Sequence, residues 1–129
     1  MNGTKTNQSN VASYQRDYQA IIGVLNEYFD GLFEGDVEKL RAIFHEDSVL
    51  KGNDYRKTRD DWLDAVASRP TPRDEGMAFT FNILSLEIVG DQAMAKVDAP
   101  LLAAHFIDFL GLLKEDGQWQ IVNKMFTTV

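Results

Sequence analysis

Cysteine is absent from the 129-residue chain, which excludes disulfides, Cys-ligated zinc and thiol catalysis. Positive charge is scarce. Thirteen Lys and Arg stand against 20 Asp and Glu, a formal net charge of −7, and such a balance repels phosphate backbones and anionic lipid. Neither nucleic acid nor a membrane surface is therefore an expected partner. No run of 18 apolar residues occurs, and the start, "MNGTKTNQSN", has no signal-type apolar region, so a soluble, cytoplasmic protein is expected. Histidine numbers only two. His45 and His105 are too far apart in sequence to suggest a metal site, even with Glu46 and Asp47 beside the first, and neither a metal nor a cofactor is expected.

What is present suits one compact domain, because 44% apolar content over 129 residues supplies one core and is too short for two. Residues 1–12 are polar and small and read as a flexible tail, leaving 13–129 as the single domain. From Tyr14 the apolar residues Tyr18, Ile21, Ile22, Leu25, Phe29, Leu32 and Phe33 recur at spacings of three and four, the mark of a long amphipathic helix stopped by Gly35. Asp36 suits the N-cap of a second, short helix with Val37, Leu40 and Phe44 as its buried stripe. "SVLKG" reads as a short strand. Thr58 can cap a third helix, "RDDWLDAVASR", ended by Pro70 and Pro72, with Trp62, Leu63 and Val66 turned inward.

Beyond about residue 76 the period changes from 3.6 to 2, and "MAFTFNILSLEIV", "QAMAKVDA", "AAHFIDFLGLL" and "WQIVNKMFTT" read as four strands in meander order. Three helices followed by such strands predict an α+β domain, with the helices packed on one face of a strongly curved antiparallel sheet. In the first of these strands Phe79, Phe81 and Ile83 share one parity and Leu84, Leu86 and Ile88 the other. A β-bulge near residues 82 to 84 would bring both sets to one face and bend the sheet round a cavity.

The last hairpin, "HFIDFLGLLKEDGQWQIVNKMF", carries Asp108 and Lys124 in otherwise apolar strands. A two-residue turn at Asp116-Gly117 would set Asp108 opposite Met125, with Asn123 as its diagonal neighbour. A three-residue loop, Glu115-Asp116-Gly117, would set it opposite Lys124 and so remove an unpaired buried carboxylate. The second is the preferred register. It predicts a charge-assisted Asp108–Lys124 hydrogen bond, on a face shared with Phe106, Leu110, Leu112, Val122 and Phe126. Trp119, Ile121, Asn123 and Met125 fall on the opposite face, as an apolar patch that a partner subunit would cover.

The order helix, "EGD", helix, "FHEDSVL", helix and a meander ending "LLKEDGQWQIVNK" resembles the nuclear transport factor 2 superfamily, with its cone-shaped, cystatin-like fold. Within it, "FIDFLGLLKEDGQWQIVNKMF" is similar to the family labelled "Putative lumazine-binding". The likeness spans roughly residues 14 to 128 and implies a homodimer through the sheet. By likeness to the ketosteroid isomerase members, Tyr28 matches their oxyanion-hole tyrosine. Where they carry a general-base aspartate stand Lys51 and Gly52, with Asp54 just beyond, and their second pocket acid falls nearest Leu110.

Three functions stay open. The chain is a small-molecule-binding protein whose apolar pocket is lined by Tyr28, Trp62, Phe79, Phe81, Phe106, Asp108, Leu110, Val122, Lys124 and Phe126. Or it is a proton-transfer enzyme of isomerase, dehydratase or polyketide-cyclase type, using Asp108, Tyr28 and His45. Or it is a non-catalytic dimerisation module. The residues decide neither the ligand nor whether a reaction is catalysed.

Overall fold

A computed structural model describes the backbone of residues 2–129 and the side chains of residues 10–129. Helix α1 (Asn2–Glu34) and α2 (Val37–Ile43) precede strands β1 (Phe44–Gly52) and β2 (Tyr55–Thr58), helix α3 (Arg59–Ser68), and strands β3 (Asn82–Val89), β4 (Gln92–Leu101), β5 (Ala104–Glu115) and β6 (Gln118–Thr128). The helical backbone thus begins ahead of Tyr14, within the stretch read as a tail; Met1 and the side chains of residues 1–9 lie outside the described residues. Among the described residues no helix is long and apolar enough to cross a membrane.

Both expected caps form. The Asp36 carboxylate accepts from the Lys39 amide at 3.1 Å, and the Thr58 hydroxyl accepts from the Asp61 amide at 3.2 Å, each satisfying an N–H that a helix start leaves free. Gly31 lets α2 lie against α1, since a Cβ there would come within 2.6 Å of the Leu40 side chain. The stripe Ile21, Leu25, Tyr28, Phe29 and Leu32 of α1 is buried against the sheet.

The sheet has six strands in the order β2-β1-β6-β5-β4-β3. All neighbours are antiparallel except β1 and β6, which run parallel. "SVLKG" is the end of a longer strand, because α2 stops at Ile43 and the chain is already extended at Phe44. The bulge expected in β3 is present between Ile83 and Ser85. It leaves Leu84 exposed while Ile83, Leu86 and Ile88 pack on the core. The strand itself starts later than expected, at Asn82.

The final hairpin corrects the preferred register. Glu115 pairs with Gln118 across a two-residue turn, whose Asp116 and Gly117 both have positive φ, 51° and 77°, the geometry that best follows the right-handed twist of the strands. This turn alone would have stranded Asp108 opposite Met125. A second bulge prevents it: Leu112 pairs with Ile121 but Gly111 with Asn123, so Val122 is the extra residue. Beyond it Asp108 faces Phe126 and Leu110 faces Lys124. Asp108 and Lys124 share a face as diagonal neighbours, and no direct pair forms.

The same bulge corrects the placement of the apolar patch. On the turn side of Val122 the alternation is inverted relative to the expected register, so Trp119 and Ile121 point into the core. The Trp119 indole N–H donates to Asp17 of α1 at 3.1 Å. Of the four residues expected on the outer face, Asn123 and Met125 are there, and Met125 lies beside Phe109 and Met94, at 45%, 44% and 47% exposure.

Candidate functional site

Between the helices and the concave face of the sheet lies a cavity of about 210 Å³. Leu32 of α1, Ala99 and Leu101 of β4, and Phe106 and Phe126 at the ends of β5 and β6 form its apolar wall. Its polar groups come from elsewhere: Tyr55 from β2, Trp62 and Arg69 from α3 and its end, Asp108 from β5 and Lys124 from β6. A dry cavity of roughly 150 Å³ takes benzene, so this one suits a single ring with a short polar substituent.

Asp108 is only 2% exposed, and burying a carboxylate is costly unless it is hydrogen-bonded. Its partner is the Tyr28 hydroxyl, which donates to Asp108 Oδ2 at 2.6 Å, a short bond of the kind an ionised acceptor makes. Burial, then the charge and bond of Asp108, push the Tyr28 hydroxyl pKa well above its ordinary value. Tyr28 therefore remains a proton donor throughout the physiological range. Tyrosine has displaced the lysine expected in this role, because Lys124 sits one pair away and its amine turns toward rings: Nζ is 4.7 Å from the Trp62 centroid, 5.4 Å from that of Tyr28 and 5.5 Å from that of Phe126.

Lys124 is 8% exposed. Burial lowers the pKa of its amine, Asp108 raises it in part, and the Arg69 charge lowers it further. Arg69 follows the last turn of α3 as its C-cap, directly before Pro70, which prevents the helix from continuing. Its own pKa is lowered by burial, with Tyr28 and Tyr55 acting the other way. Among the described residues neither Arg69 nor Lys124 takes part in an ion pair. The cavity therefore presents two cations and one carboxylate, and that carboxylate is already engaged by a phenol.

Of the residues proposed from sequence, Trp62, Phe106, Asp108, Lys124 and Phe126 line the cavity, and Tyr28 reaches it through its bond to Asp108. The others lie elsewhere. Leu110 is wholly buried. Phe81 stacks on Phe29 at 5.3 Å, and Phe79 is half exposed against Phe33 and Phe81, because residues 77 to 81 precede β3 and run outside the ladder. Val122 is the bulge residue. His45 is the second residue of β1, with its Nδ1 and the Asp47 carboxylate 2.6 Å apart, and lines no part of the cavity.

The loop that would supply a ketosteroid isomerase-type base supplies none. Lys51 points away and donates to Asn123 Oδ1 at 2.8 Å, Gly52 abuts the Phe126 ring so closely that a Cβ would come within 2.9 Å of it, and Asp54 is exposed in the turn.

Sequence reasoning missed Arg69 and Tyr55. A basic residue at a helix end most often serves the helix dipole, and only the approach of α3 to the sheet makes Arg69 a cavity residue. Its place immediately before Pro70 was the available signal.

Residues 16–127 match the family described as "Putative lumazine-binding". An NTF2-like protein of unknown function from Shewanella baltica superposes with a TM-score of 0.80 at 27% identity, covering 90% of this chain and 96% of its own. Another, from Methylobacillus flagellatus, gives 0.73 at 31% identity, covering 88% and 93%. Among curated proteins, the aldolase FrzH of Cladobotryum sp. is 23% identical over 112 residues, 85% of this chain and 90% of that protein.

Proposed function

The chain belongs to the "Putative lumazine-binding" family of the nuclear transport factor 2-like superfamily, and from that membership and the cavity we propose that it binds a small, partly aromatic molecule bearing an acidic group. One observation carries the reading: Arg69 and Lys124, neither in an ion pair among the described residues, line the same otherwise apolar cavity. Two cations facing one cavity, Lys124 buried and Arg69 half-buried, repel one another without a stronger counter-charge, and an anionic ligand would relieve that repulsion. The guanidinium fork suits a carboxylate or enolate, while the Trp62, Phe106 and Phe126 rings suit an aromatic body.

Thermal unfolding with phenylacetate and with phenylacetamide tests this. The acid is expected to raise Tm and the isosteric amide to do so much less. Equal shifts, or none, would contradict it.

A second reading, a proton-transfer enzyme, is favoured by the Tyr28–Asp108 bond and by the aldolase named among the relatives. In this reading the second oxygen of Asp108 serves as the base and Tyr28 holds the first. Turnover abolished in Asp108→Asn, with ligand binding retained, would support it; turnover unchanged would remove it.

The working form in either reading is a cytoplasmic homodimer that covers Met94, Phe109 and Met125 with a second copy. Sedimentation at micromolar concentration would reveal only a 14.6 kDa species if that pairing were absent.

A further inference from the structure

Lys124 is an unusual lysine for a binding site, since the residue is only 8% exposed while its amine faces three aromatic rings at the cavity and forms no ion pair among the described residues. Two states of the group compete. As an ammonium it gains cation–π attraction, on the order of 0.5 to 2 kcal/mol. Against that stands the loss of water around a buried charge, which costs several kcal/mol, together with repulsion from Arg69 on the same cavity wall. Asp108 offsets part of this cost, but one of its oxygens already accepts from Tyr28. Together these effects lower the pKa of the amine from its ordinary value, so the cavity eases loss of its proton, and an amine that has lost its proton inside a cavity is a nucleophile.

We propose that Lys124 condenses with an aldehyde or ketone held in the cavity, forming an iminium. This rests on the reading of the cavity as a ligand site and narrows its ligand to an apolar oxo acid, with the acid at Arg69 and the carbonyl at Lys124. The Nζ lone pair attacks the carbonyl carbon while the C=O π pair moves to oxygen. A proton passes from nitrogen to that oxygen, giving a neutral carbinolamine. A second proton on the same oxygen lets it leave as water while the nitrogen lone pair forms C=N⁺. The net change is amine plus carbonyl plus one proton to iminium plus water, so no oxidant, reductant or cofactor is needed. Asp108, one pair along the same sheet face, is the group placed to relay these protons. Once formed, the iminium acidifies the adjacent C–H, which would give this cavity a route to carbon-acid chemistry without a carboxylate from the 51–54 loop.

The full chain is incubated near neutral pH with phenylpyruvate and cyanoborohydride, which reduces an iminium to a stable secondary amine, and the adduct is located by peptide mass spectrometry. Modification of Lys124 is expected at several times the level of any other lysine, because the cavity would hold the oxo acid beside its amine. Arg69→Met should lower it. No adduct, or adducts spread evenly over exposed lysines, would overturn the proposal without requiring a Lys124 variant to fold. Phenyllactate, which keeps the acid and ring but lacks the carbonyl, separates the two readings. If it raises Tm while phenylpyruvate leaves no adduct, the iminium alone falls; if it also leaves Tm unchanged, the acid-binding reading falls with it.

Discussion

The two halves of the β5–β6 hairpin, divided by the bulge at Val122, are built for different ends. On the turn side Leu112, Trp119 and Ile121 belong to the core and are at most 6% exposed, and Trp119 is bonded to Asp17 of α1. On the other side the same two strands present Asp108 and Lys124 to a cavity, between Phe106 and Phe126. A core made for stability would fill this space with hydrocarbon, since a buried charge pair is rarely better for folding than well-packed apolar side chains. The contrast teaches that the turn half holds the fold, while the cavity half retains polar groups that folding does not require.

The largest expected effect lies in the turn half. Ile121→Ala, at a wholly buried position, should cost about 2 to 5 kcal/mol in denaturant unfolding. It should leave the ligand affinity of the remaining folded protein unchanged. A cost below about 1 kcal/mol would mean that this half is not the tight core described.

Next in size is Tyr28→Phe, which removes the donor from a buried carboxylate and should cost about 2 to 3 kcal/mol. The double variant Tyr28→Phe with Asp108→Leu should cost less than the two single changes added together, because the pair acts as a unit. The alkaline limb of the stability curve sharpens this test. Tyr28 keeps its proton in the folded state well above the ordinary value of 10.0, whereas the unfolded chain releases it from there upward. Its contribution is therefore complete below pH 10.0 and is lost as pH rises toward the folded value. Tyr28→Phe should flatten that fall; an unchanged alkaline limb would show that the buried phenol is not its source.

The smallest effect on stability is expected at Arg69→Met, within about 0.5 kcal/mol of the parent, although the same change should abolish the preference for acidic over neutral ligands. Its value lies in separating binding from folding.

Much of the fold was legible because it rests on local rules. The stripe from Ile21 to Leu32, the caps Asp36 and Thr58, and the parity switch in β3 each reported their structure directly. The hairpin register was not legible, because two offsets of one residue acted together. The two-residue turn shifts every pair by one, and the bulge at Val122 shifts those beyond it by one more. Asp108 and Lys124 thus kept the expected face while Trp119 and Ile121 changed theirs. A bulge residue such as Val122 carries no distinctive side chain, and its choice is made by the curvature of the whole sheet. Tyr28 was legible as a polar residue on a buried stripe and through its family position, but its bond to Asp108 depends on how α1 crosses the sheet, which periodicity does not encode. Arg69 and Tyr55 were hidden for the same reason, since their roles arise only where α3 and β2 meet the cavity.

The most direct test of the claim that the cavity half serves a ligand is a calorimetric titration of phenylacetate into the parent, Arg69→Met and a mild turn-half variant, Ile121→Val. One saturable site per chain is predicted for the parent and for Ile121→Val, and loss of binding for Arg69→Met with its fold intact. Heats that never saturate, or binding that survives in Arg69→Met, would contradict the account.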